Sequence, residues 1–158
     1  MNIDAVALLI MAEYHAGTVN KHDGTLYMLH PIHVAEHAAV AAVAHGLRPE
    51  IAKAIGYLHD AVEDTVLTEA LLMTRLLEGG VSPQDSQLIV NGVMAMTKRD
   101  GEDLETYYQR VKRDEYGRLC KISDMTHNFS RNHLIVDAER RGKMAVKYSL
   151  GMSILSFF

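Results

Sequence analysis

Each of the chain's three prolines stands where a helix would begin. Proline fixes φ near the helical value and lacks an N–H that the first turn would leave unpaired anyway. His30-Pro31 opens one apolar-periodic run, Pro49 opens the next, and Ser82-Pro83 sets a capping hydroxyl before a first-turn proline. Glycines close the runs at Gly17, Gly46 and Gly79-Gly80. Helical periodicity predicts helices over residues 3–15 (apolar face Val6, Leu9, Ile10), 30 to about 44, 49 to about 64, and 69–78 behind a Thr68 cap. Further helices are predicted over 83 to about 97, 104–112 and 116–129, with a last one from near Asp137 almost to Phe158. Residues 21–24 form a polar turn, 25–29 a short extended piece and 99–103 a charged loop. The expectation is an all-α, compact multi-helix fold of about seven or eight helices, one domain over residues 1–158.

Composition supports this. Trp is absent and aromatics make up 6%, which favours helix packing over a β-sandwich. A net charge of −4 argues against a nucleic acid polymer as partner and leaves a polyanionic small molecule, provided charge is locally reversed. The single cysteine, Cys120, rules out an internal disulfide, reads as a packed thiol and fits a reducing, cytoplasmic setting. The apolar stretch 5–11 is too short to span a membrane and lacks the basic flank of a signal peptide, and 149–158 reads as a packed terminal helix. Tyr107-Tyr108 and the Phe157-Phe158 end are compatible with a homodimer and equally with a packed monomer.

Chemistry concentrates in His59-Asp60-Ala61-Val62-Glu63-Asp64. On one continuous helix His59, Asp60, Glu63 and Asp64 fall at roughly 0°, 100°, 40° and 140°, so all four project from one side. Three carboxylates together are costly to bury without a cation, and Ile55, Leu58 and Val62 make the helix a packed one. A metal needs ligands from other elements as well. His30 precedes Pro31 at a helix start, and Asp124 lies in the apolar helix around Ile122 and Met125. His30, His59, Asp60 and Asp124 together offer two imidazoles and two carboxylates, a set that suits manganese, iron, nickel or zinc. His30, His33 and His37 share a helix face as a competing set, though a half-buried polar face explains them better because Glu36 is the only carboxylate nearby. His15, His22, His45 and His133 read as surface or capping residues, and His127 lies one turn from Asp124.

The motifs occur in an order that resembles the hydrolase domain of RelA/SpoT-type proteins and their stand-alone relatives, the small alarmone hydrolases. His15-Ala16-Gly17 with Lys21, Tyr27 to Ala35 around His30-Pro31, Leu58-His59-Asp60-Ala61-Val62-Glu63-Asp64-Thr65, and Lys121 to Asn128 around Asp124 carry the resemblance across nearly the whole chain. It implies an HD-type fold with Mn²⁺, or another divalent transition metal, on His30, His59, Asp60 and Asp124. It also implies a catalytic role for Glu63 and Asp64 and nucleotide contacts from Lys21 and Asn128. The implied reaction is hydrolysis of the 3′-pyrophosphate of guanosine tetra- or pentaphosphate. Asn20 joins the substrate side where the family usually has arginine, and an amide can neither stack on a base nor fork onto phosphate as a guanidinium does. Met125 and Ser130 are further departures. Lys98, Lys121, Arg131, Lys147 and Tyr148 are candidates for the rim of the pocket. The alternatives are a phosphohydrolase for another nucleotide, such as a ppApp-like compound or a 3′-phosphorylated cofactor, and a non-catalytic nucleotide-binding or antitoxin-like partner. The intact Glu63-Asp64 pair argues against the non-catalytic alternative.

Overall fold

A computed structural model describes residues 2–21 and 23–156, so His22 and the Phe157-Phe158 end lie outside the described residues. The described chain is helical: α1 (Ile3–Tyr14), α2 (Leu29–Ala44), α3 (Pro49–Leu58), α4 (Ala61–Asp64), α5 (Glu69–Glu78), α6 (Pro83–Met96), α7 (Leu104–Lys112), α8 (Glu115–Ser130) and α9 (Ala138–Leu155). A 3₁₀ turn at Asn132–Leu134 precedes α9. An isolated antiparallel bridge, Val19 to Leu26, closes the loop between α1 and α2. This bridge takes the place of the extended piece expected at 25–29, and α2 already begins at Leu29.

Short polar side chains start five of the helices by satisfying first-turn N–H groups. Thr68 Oγ1 accepts from Leu71 N–H at 3.2 Å and Ser82 Oγ from Asp85 N–H at 3.1 Å. Asp103, Asp114 and Asp137 do the same for α7, α8 and α9.

One difference from the sequence expectation matters for function. The helix predicted from 49 to about 64 breaks after Leu58, and His59 and Asp60 lie in the turn between α3 and α4. Asp60 has φ −99° and ψ −6°, opening the helix and making it the N-cap residue of α4. The two side chains are thereby released from the 100° offset of a continuous helix.

The main core packs α3 against α1, α2, α6 and α8 through Ile51, Ile55, Leu58, Ile89 and Val93, with Leu72 and Leu76 of α5 alongside. A second apolar cluster of Tyr107, Tyr108, Val111, Met125 and Leu155 joins α7, α8 and α9. Gly56 lets α3 meet α2 backbone to backbone, because a Cβ there would sit 2.5 Å from the Cα of Ala35. No helix among the described residues is long and apolar enough to cross a membrane.

Candidate metal centre and cleft

His30 near the start of α2, His59 and Asp60 in the α3–α4 turn, and Asp124 in α8 converge. His30, His59 and Asp60 bring ligand atoms within 4.8 Å of one another. Asp60 Oδ2 lies 3.0 Å from His59 Nε2 and 3.7 Å from His30 Nε2. Asp124 Oδ1 lies 3.1 Å from His30 Nε2 and 3.6 Å from His59 Nε2.

The hydrogen bonds around this cluster orient it. His59 Nδ1 is 2.8 Å from the Gly56 carbonyl oxygen, which can only accept. The proton therefore sits on Nδ1 and the Nε2 lone pair points at the carboxylates. That Nε2 is buried with no hydrogen-bond partner. A lone pair facing carboxylate oxygens calls for a positive charge between them. The same demand shows in the acid–base balance of His59: burial pushes the imidazole down, but Asp60 and Asp124 outweigh it and lift it to about 10. A divalent cation meets that demand without a proton, and the donor set of two imidazoles and two carboxylates fits one.

Other side chains hold the members of this cluster in place. Tyr27 hydroxyl donates to Asp60 Oδ2. Lys121 Nζ donates to Asp124 Oδ2 at 2.7 Å, and Asn128 Nδ2 to Asp124 Oδ1 at 2.6 Å. His30 Nδ1 meets His127 Nδ1 at 2.7 Å. Burial, with His30, His33 and Arg131 nearby, holds His127 down at about 4, so its ring is neutral at ordinary pH. Burial and Asp60 push the Tyr27 hydroxyl well above the ordinary range, which keeps it a donor.

An open cleft of ≈ 840 Å³ adjoins the cluster, lined by residues including Tyr14, His15, Asn20, Lys21, Tyr27, Asp64 and Asn128. Asp64 is raised, mainly by burial and then by Asp60 and Glu63. Glu63 points elsewhere: its Oε2 accepts from the Lys98 backbone N–H at 3.1 Å. The neighbouring acids thus have different surroundings although they are adjacent in sequence.

Among the described residues, the lining of this cleft does not include Lys98, Lys147 or Tyr148. Lys147 is half-buried on α9. Burial and Lys121 push its amine down, against Asp124, Glu63 and Asp60. Tyr148 packs edge-on against Phe129 at 6.3 Å and joins the second apolar cluster.

Several side chains have more to do here than the sequence indicated. His15, read as a surface or capping residue, does end α1 as its C-cap but is only 3% exposed, because its ring packs 4.8 Å from Tyr27 under the cleft. Tyr107 and Tyr108 are buried and offer no surface for a partner. Tyr27 had only its position in a Tyr-x-x-His pattern to signal it, and Lys121, expected at the pocket rim, instead donates to Asp124. Asn128 is spent in part on Asp124, although it also lines the cleft.

No protein-family model matches the chain, and no curated protein matches it in sequence. A solved structure described as a metazoan ortholog of SpoT that hydrolyzes ppGpp and plays a role in starvation responses is similar to it in fold. The TM-score is 0.77 at 19% sequence identity, covering 98% of this chain and 86% of that one. The all-helical architecture of this chain is thus the fold of that hydrolase.

Proposed function

We propose that this chain is a metal-dependent phosphohydrolase that removes the 3′-pyrophosphate of guanosine tetra- or pentaphosphate, giving GDP or GTP and pyrophosphate. The observation that carries the reading is the buried, unpartnered His59 Nε2 facing two carboxylates beside a cleft that holds Asp64, Lys21 and Asn128. The ppGpp hydrolysis described for the metazoan SpoT ortholog of the same fold supports the substrate. His30, His59, Asp60 and Asp124 would hold the metal, Mn²⁺ in our reading, and the cytoplasm is the compartment that fits a lone buried thiol.

A divalent ion bound there would polarise a phosphoryl oxygen and acidify water. The chain's own residues do the rest. Asp64, in the cleft and with a raised proton affinity, accepts the proton of the attacking water. Glu63 holds the backbone at Lys98 and so fixes the α6–α7 loop against α4. Lys21 opposes the phosphate charge from the cleft wall. Tyr27, Lys121 and Asn128 hold Asp60 and Asp124 in place, which is how outer groups tune a metal site.

Asn20 on the cleft wall favours a second reading. An amide pairs its donor and acceptor with the N6 and N7 edge of adenine, whereas the O6 and N7 edge of guanine asks for two donors. An adenosine analogue or a 3′-phosphorylated cofactor is then the substrate of the same chemistry. Incubation with Mn²⁺ and ppGpp, pppGpp, ppApp or NADPH, with released pyrophosphate and phosphate measured, separates the two. Pyrophosphate from ppGpp is the expected result. No turnover of ppGpp alongside turnover of an adenine nucleotide would overturn the guanosine assignment.

A further inference from the structure

His30 faces the inner cluster, and two further histidines, His33 and His37, share its helix. His33 and His37 stand four residues apart on the exposed face of α2, with rings stacked at 4.6 Å and 25° between planes. His127 packs on His33 at 4.5 Å, and His30 on His127 at 4.9 Å, so four imidazoles run from solvent to the metal cluster. His127 already commits Nδ1 to His30 and belongs to the inner site. Among the described residues, no hydrogen bond or ion pair engages the ring nitrogens of His33 or His37. Glu36, the carboxylate between them, is bound to Lys53 at 2.7 Å.

We infer that His33 and His37 form a second, outer metal site that takes a borderline divalent transition ion of the Ni²⁺, Cu²⁺ or Zn²⁺ class. Side chains at i and i+4 of a helix lie one above the other, so two imidazoles there can close on one ion by side-chain rotation alone. Exposed rings pay little for that rotation, and water completes the coordination. Imidazole without carboxylate selects Ni²⁺, Cu²⁺ and Zn²⁺ over Mn²⁺ and Mg²⁺, which prefer oxygen. The two sites thus differ in kind: the inner one mixes imidazole and carboxylate in a buried setting, and the outer one is all imidazole at the surface. Neither depends on what the inner site hydrolyses.

Equilibrium dialysis of the untagged chain against Ni²⁺ tests this, with bound metal counted in the wild type, His37→Ala and the exposed control His133→Ala. The wild type should hold about one Ni²⁺ per chain more than His37→Ala and the same amount as His133→Ala, with Mn²⁺ uptake equal in all three. The readout is the difference between proteins, so it stands whether or not the inner site turns over a nucleotide. Equal Ni²⁺ uptake by the wild type and His37→Ala would overturn the outer site, as would an equal loss in His133→Ala.

Discussion

At Asp64, burial, Asp60 and Glu63 all favour the protonated carboxyl. A base works only when ionised, so activity should rise with pH through a value above the ordinary aspartate range. A log kcat profile against pH would place that acid limb, and Asp64→Asn should lower turnover about 10²–10⁴-fold with Mn²⁺ affinity kept. Equal activity in Asp64→Asn would remove this carboxylate from the mechanism. Tyr27 is the complementary case, because its hydroxyl donates to Asp60, a proposed metal ligand. Tyr27→Phe should weaken Mn²⁺ binding about 10–100-fold. Titration with Mn²⁺ followed by the loss of the free-ion signal would measure it.

Among the elements, the α2–α3 contact decides whether His30 and His59 meet. A Cβ on Gly56 would lie 2.5 Å from Ala35 Cα and 2.8 Å from its backbone N, atoms that cannot rotate away. Gly56→Ala should therefore cost about 1–3 kcal/mol in a urea midpoint measurement and weaken metal binding with it. Gly142 in α9 is the contrast: nothing lies within 4 Å of its Cβ position, and Gly142→Ala should stabilise by about 0.5–1 kcal/mol. At the end of α6, Arg110 donates to the carbonyls of Met94, Ala95 and Thr97 and to both oxygens of Glu102. The hydrogen bond from Arg110 holds Glu102 down at about 2. A depressed carboxyl stabilises the fold above its unfolded value, and that contribution is lost as pH falls from about 4.5 toward about 2. Glu102→Gln should lose about 1.5–3 kcal/mol at neutral pH, and the gap from the wild type should close over that acid window in thermal melts.

For the molecule as a whole, the cluster of His30, His59, Asp60 and Asp124 brings α2, the α3–α4 turn and α8 together. An ion that binds only the folded chain stabilises it by mass action, about 2.7 kcal/mol at a hundredfold excess over Kd. At this size that corresponds to roughly 5–11 °C in Tm. A chelator should lower the melting temperature by that order, and returning Mn²⁺ should restore it. An unchanged melt would mean that the cluster is satisfied by protons and holds no metal.

The local rules written into the chain determined its helices. Pro49 and Pro83 start α3 and α6, Thr68 and Ser82 cap α5 and α6, and the boundaries of α5 and α7 coincide with their apolar periods. Residue type and order were also enough to single out His30, His59, Asp60 and Asp124. Only the tertiary structure decided how they are arranged. The break at His59-Asp60 did not show in the local pattern, and in the fold it carries a hydrogen bond from Tyr27, which comes from another segment. The burial of His15, the engagement of Asn128 by Asp124 and the separate surroundings of Glu63 and Asp64 likewise depend on neighbours distant in sequence. Helix formation is governed by contacts within a few residues, whereas the charge on a buried side chain is governed by whatever long-range packing brings beside it.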